Sequence, residues 1–154
     1  MGKISIHLAR EWDAEDMAPR MREADVEEVK AACGMSPLQA LRYSLAACDK
    51  SFTVEIDHCP MAIFGLSVGS LLSETAYPWM LGARGFPGHH GKTLLRHSRA
   101  IIAIWLEDFE KLENYVMASN HASVKYLAAL GAAFAAPAPY GVASELFLRF
   151  ELRR

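Results

Sequence analysis

The residues of this chain that could do chemistry concentrate in one stretch, Arg84-Gly85-Phe86-Pro87-Gly88-His89-His90-Gly91-Lys92. Its glycines let an anion approach the backbone closely. The stretch opens into an amphipathic helix, whose first N–H groups lack intrahelical partners and carry the positive end of the helix dipole. Together these features make a phosphate site, to which Arg84, Lys92 and Arg96 add positive charge. The competing reading is that the glycines only turn the chain between a strand and a helix. His89 and His90 would add charge when protonated. No His/Glu pair has metal-ligand spacing, so no metal is expected.

Two standard motifs come close and fail. A P-loop needs four residues between its first glycine and Gly-Lys-Thr; five separate Gly85 from Gly91-Lys92-Thr93. Gly65-Leu66-Ser67-Val68-Gly69 has the Gly-x-Ser-x-Gly pattern of a hydrolase nucleophile, which acts on a sharp turn from strand into helix. The residues after it, Ser70-Leu71-Leu72-Ser73-Glu74, are too few for a helix before the next strand. A serine hydrolase built on Ser67 is therefore the most remote of three readings.

The elements that must position the loop follow from periodicity. Thr75 to Gly82 reads as a strand leading into it, and the helix after it runs from about His90 to Asp108, with Leu94, Leu95, Ile101, Ile102 and Trp105 on its apolar face. A strand at Asn114–Ala118 and a helix starting at Asn120 and stopped by Gly131 come next. Upstream, Lys3–Leu8 alternates as a first strand. Helices are expected from Asp13 to Met21, from Asp25 to Gly34, and from Ser36-Pro37 to Cys48. Glu23, Glu27, Glu28 and Lys30 read as the solvated face of a surface helix. Phe52–Ile56 and Met61–Leu66 form a hairpin, and Leu146–Leu152 is a last strand. Three strands joined by short turns read as an antiparallel meander. The helix after the glycine loop is then a crossover that sets the strand at Tyr115 parallel to the one at Trp79. A ligand crevice is expected between those two, with Trp79, Trp105 and Tyr115 in the core or in its wall.

Composition bounds the rest. A chain of 154 residues reads as one domain, and 52% hydrophobic with 22% charged residues is a globular profile. A net charge of −2 gives no electrostatic case for nucleic acid, and no apolar run is long enough to span a membrane. The three cysteines, Cys33, Cys48 and Cys59, show no zinc or redox spacing, which fits a reducing, cytoplasmic interior.

The order of elements, a single α/β (α+β) domain with a mixed, mostly antiparallel sheet and one parallel strand pair, resembles the GNAT superfamily of acyl-CoA-dependent N-acyltransferases over nearly the whole chain. Two patterns carry the resemblance. Arg84-x-x-Gly88-x-x-Gly91-Lys92 stands where that family has its pyrophosphate loop, its second glycine one residue late. Asn120-x-x-Ser123 ending in Leu130-Gly131 is similar to the family's Asn-bearing helix. A narrower string, Trp79-Met80-Leu81-Gly82 with Asn114-Tyr115-Val116 and Pro139-Tyr140-Gly141, resembles small GNAT-like proteins of tailed phages, one branch of which is associated with virion assembly.

The resemblance implies acetyl-CoA as cosubstrate and a small-molecule or peptide amine as acceptor. Gly88, His89, Gly91 and Lys92, with Arg84, would hold the pyrophosphate. The backbone of Met80, Leu81 and Gly82 would pair with the pantetheine arm, which Asn120 would also contact. Glu74, at the start of the fourth strand, is the implied general base. The family's acid is a tyrosine seven residues after the asparagine, where this chain has Leu127; Tyr126, one position earlier, is turned by roughly 100° and is expected to face elsewhere. Tyr126, Tyr140 and His121 are the candidates for that role. The alternative implied by the phage resemblance is a non-catalytic assembly protein. The helices between Asp13 and Cys48 could then meet substrate, a second subunit of a homodimer or a capsid protein.

Overall fold

The computed structural model describes residues 2–70 and 72–154. Leu71, in the connection read as too short for a helix, lies outside them. β1 (Ile4–Leu8) pairs antiparallel with β2 (Ser51–Ile56). Between them the chain builds α1 (Glu11–Met17), a 3-10 turn (Ala18–Arg20), α2 (Glu23–Cys33) and α3 (Pro37–Ala47). Ser36 caps α3 reciprocally with Gln39, and Gly34 ends α2 at φ 70°, a conformation that favours glycine. Asp13 does not cap α1 as its residue type suggested. Arg10 holds the cap position, and the buried Asp13 carboxylate accepts from the Arg10 N–H and the Thr53 hydroxyl, both at 2.9 Å.

A two-residue turn at Asp57 and His58, both at positive φ, joins β2 to β3 (Cys59–Ser67), which pairs antiparallel with β4 (Thr75–Gly82). Ser67 ends β3, and among the described residues no helix stands between it and β4, so the strand-to-helix elbow of a hydrolase is not seen there. α4 (Gly91–Asp108) crosses over to β5 (Lys111–Met117), parallel to β4 as expected. Then follow α5 (His121–Ala129), the short β6 (Ala133–Phe134) and β7 (Ala138–Tyr140), and β8 (Glu145–Arg153). The sheet order is β1-β2-β3-β4-β5-β8-β6, with β7 also on β8. Ala14, Met17 and Leu41 of α1 and α3 pack on Ile63 and Leu81 on one face. Ile101 and Trp105 of α4 pack on Val54 and Phe64 on the other, beside a cluster of Ala76, Leu106, Leu112 and Leu152. No helix among the described residues is long and apolar enough to cross a membrane.

One irregularity shapes everything downstream. β4 and β5 pair at only two positions, Thr75↔Lys111 and Ala76↔Leu112. The Ala83 N–H donates to Met61, and alternation along an antiparallel ladder then turns residues 77, 79 and 81 toward β3 and residues 78, 80 and 82 toward β5. The first of these outward positions is Pro78, which has no N–H to give a neighbour. Its carbonyl accepts instead from the Asn114 side chain at 2.9 Å, while Asn114 Oδ1 accepts from the Tyr115 N–H. The parallel ladder stops there and the strands diverge. Asn114→Ala leaves the Pro78 carbonyl without this donor and is expected to lower the unfolding free energy by about 1 kcal/mol, measurable by urea denaturation.

Candidate active site

The divergence of β4 and β5 opens a crevice of about 820 Å³, mostly apolar, that reaches both faces of the sheet. One end meets the start of α4. That helix has no side-chain cap and no acidic residue in its first turn, and Lys92 sits there instead. A helix start normally recruits carboxylates; this one presents free N–H groups and positive charge. His90, Gly91 and Lys92 all line the crevice. His90 is 8% exposed, and its Nε2 has no hydrogen-bond partner. A buried imidazole nitrogen left unpaired beside an uncapped helix suits an anion that accepts from it.

The remaining loop residues stand further out. Arg84 is exposed, its N–H held by the Arg20 carbonyl at 2.8 Å, and it does not line the crevice. Gly88, at φ 55°, and His89 are exposed; the His89 ring lies 4.2 Å from that of His90. Of the β4 residues, Met80, Leu81 and Gly82 all line the crevice. Leu81 gives its backbone to β3. Gly82 is engaged on both sides: its N–H donates to Asp25 Oδ2 at 2.9 Å and its carbonyl accepts from the Arg22 N–H at 2.9 Å. Met80 is thus the position whose N–H and C=O the register directs into the gap.

The other end of the crevice is built by α2. Backbone bonds from Arg22 to Gly82 and from Arg84 to Arg20 dock the start of this helix on the end of β4. Asp25, 2% exposed, lies against the Arg22 guanidinium at 3.5 Å and the Asn120 amide at 3.5 Å. Burial pushes its pKa up against the Gly82 N–H bond, Arg22 and Asn120, which pull it down. Glu28, one turn on, accepts from the Met117 N–H at the end of β5. Desolvation is the largest influence on it, with the neighbouring Asp25 charge adding, and its pKa is pushed up to about 7. Glu28 lines the crevice, which corrects its reading as a solvated residue. The signal was invisible locally, since the groups that bury it come from strand ends far along the chain.

Asn120 is 2% exposed and spends its side chain on Arg22 and Asp25, away from the crevice lining. Glu74 is exposed at the closed end of the strand pair, where its carbonyl accepts from the N–H groups of Glu110 and Lys111. It does not line the crevice, because the strands separate only beyond Ala76. Tyr126 does line it, with Leu127 beside it, contrary to the expected turn away. Its hydroxyl hydrogen-bonds that of Ser98 on α4, and burial raises its pKa despite that bond. Tyr140 is exposed and stacks on Tyr115 at 3.8 Å; His121 is exposed. Away from the crevice, His7, Asp13 and Glu55 bring ligand atoms within 4.8 Å of one another, but the Arg10 guanidinium sits among them, 3.1 Å from each carboxylate.

No family model and no curated protein matches the sequence. Solved structures do match the fold. An N-acetyltransferase from Staphylococcus aureus Mu50 superposes with a TM-score of 0.71 at 15% identity, over 98% of each chain. A GNAT-family acetyltransferase from Bacillus anthracis gives 0.71 at 9% identity, over 99% of this chain and 98% of that one. The yncA protein of Salmonella typhimurium, solved with its cofactor acetyl-CoA, gives 0.68 at 13% identity, over 97% and 93%. At such identities the likeness is one of architecture: the chain has the fold of the GNAT acetyltransferases.

Proposed function

We propose that the crevice binds acetyl-CoA and that the protein transfers the acetyl group directly to an amine. The observation that carries this is the meeting of an uncapped, basic helix start and an unpaired buried His90 with the gap between β4 and β5. The N–H groups opening α4, His90 Nε2 and Lys92 would hold a pyrophosphate. The Met80 N–H and C=O would pair with the pantetheine arm, and that N–H is placed to stabilise negative charge on a carbonyl oxygen. Bound there, acetyl-CoA supplies an activated acetyl group, and transfer forms a C–N bond as the C–S bond breaks.

The residues at the far end then divide the protons. Glu28, with a pKa near 7, takes one from the incoming ammonium at neutral pH. Glu28 supplants Glu74 in this scheme because it faces the gap. Tyr126, kept protonated by burial, is held by Ser98 at the crevice wall and can protonate the departing thiolate. The acceptor, a small molecule or a peptide amine, approaches from the α2 side. Leu127, at the position of the family's tyrosine, supports a second reading as a phage-encoded assembly protein with an unused crevice.

Calorimetric titration separates the two. Acetyl-CoA is expected to bind with micromolar affinity and to bind Gly91→Glu at least about 100-fold more weakly. Gly91 is helical at φ −56° with only Pro87 near its missing Cβ, so the variant folds while its carboxylate repels the pyrophosphate. Absence of binding at millimolar acetyl-CoA sinks the transferase reading. With an amine acceptor, kcat/KM should rise as pH passes about 7, and Glu28→Gln should flatten that rise and lower the rate by about 100-fold.

The same carboxyl carries a stability signature. Its folded pKa, about 7, lies above the ordinary 4.5, so the folded state binds the proton more tightly. Its contribution is fully present below about pH 4.5 and is lost as pH rises through 7, amounting to at most about 3 kcal/mol. Urea unfolding across that range should show stability falling with pH, with a smaller slope in Glu28→Gln.

A further inference from the structure

The crevice does not end at β4. On the α4 face of the sheet it continues across β3 and β2 to β1, where its lining is Met80, Phe64, Val54, Ile4, Ile6 and Phe86. The register explains the channel. Gly82, Ala62, Val54 and Ile6 stand opposite one another on successive strands, as do Met80, Phe64, Phe52 and Leu8 in the neighbouring row. The first row starts with a glycine and a buried alanine; the second is bulky, with Phe52 and Phe64 stacked at 5.4 Å. A low row beside a high one makes a furrow, roofed by Ile101 of α4, and three strand spacings give it a length of about 14 Å. Neither row offers a side-chain hydrogen-bonding group. His97, one turn before Ile101, is exposed, and Ile6 is 41% exposed, so the far end opens to water.

We infer that this furrow takes the acyl chain of a medium-chain acyl-CoA, so that the preferred donor is longer than acetyl. The inference rests on the CoA reading of the same crevice. Its direction follows from β4. The carbonyl that Met80 would hold lies in the gap, Glu28 reaches that gap from the α2 end, and the Met80 side chain packs on the α4 face with Phe64 and Val54. The amine therefore comes from one face and the chain on the carbonyl carbon leaves along the other. An acetyl methyl reaches little of this apolar wall, whose Val54 and Phe64 are themselves only 3% and 6% exposed; a longer chain takes its own methylenes out of water against it.

The test is a titration series with CoA, acetyl-, hexanoyl- and octanoyl-CoA. Affinity should climb with chain length, at most about threefold to fourfold per methylene. Two variants narrow the furrow at different depths: Val54→Phe within it, and Ile6→Glu at its open end, where exposure spares the fold. Each should reduce the gain from acetyl to octanoyl at least tenfold while thermal unfolding shows a folded protein. Octanoyl-CoA binding no tighter than acetyl-CoA, or a chain-length gain unchanged in both variants, overturns this inference and leaves the CoA site standing. Failure of every CoA species to bind overturns both.

Discussion

A missing hydrogen bond organises this molecule. Pro78 stands on β4 where the chain would next donate to β5, and it has no N–H to donate. Had the parallel ladder continued, the strands would have closed side by side, as they do at Thr75 and Ala76. The Asn114 amide satisfies the proline carbonyl and its own oxygen takes the Tyr115 N–H, so the break leaves neither of these groups stranded. Through that break Met80 presents its backbone, α4 presents its first turn, and α2 presents Glu28.

A second constraint holds the far end of the crevice in shape. Arg22, Asp25, Glu28 and Asn120 join α2 to the ends of β4 and β5 and to the start of α5. Buried charges of this kind seldom add net stability over an apolar core, since desolvation offsets most of their attraction. Removing one partner is costly all the same, because it strands the others. Desolvation does most to raise the Glu28 pKa and the neighbouring Asp25 charge adds to it, which is how a glutamate on an ordinary helix comes to titrate near neutrality.

Much of this was legible in the sequence, and the residues show where legibility stopped. Ile4–Leu8 alternates apolar with polar residues, so β1 follows from pattern, and Ser36-Pro37 announces α3 through local capping chemistry. Glycine and basic residues before an amphipathic helix point to the start of α4 for the same reason. Glu28 could not be found that way: its spacing is that of a solvated helix face, and only the end of β5 makes it otherwise. Asn120 was conspicuous as a residue, but its partners Arg22 and Asp25 lie 98 and 95 positions upstream. Glu74 shows the opposite limit. Position on the right strand does not say which end of the strand pair is open.

The seam between β4 and β5 also bears on the mechanics of the fold. Strands β1 to β4 are laddered to one another, and so are β5 to β8, but among the described residues the direct backbone ties between the two groups are two residue pairs and the bonds to the Glu74 carbonyl, with the Asn114 bridge beside them. The eight-stranded sheet is in this sense a pair of panels hinged along one short edge. A change in the angle between panels would leave the ladder bonds within each panel intact but would pull on the α2 clamp at the open end, where Asp25 takes the Gly82 N–H and Glu28 the Met117 N–H. Backbone ladders tie the strands within each panel, and across the line between them two carboxylates of one helix take that part.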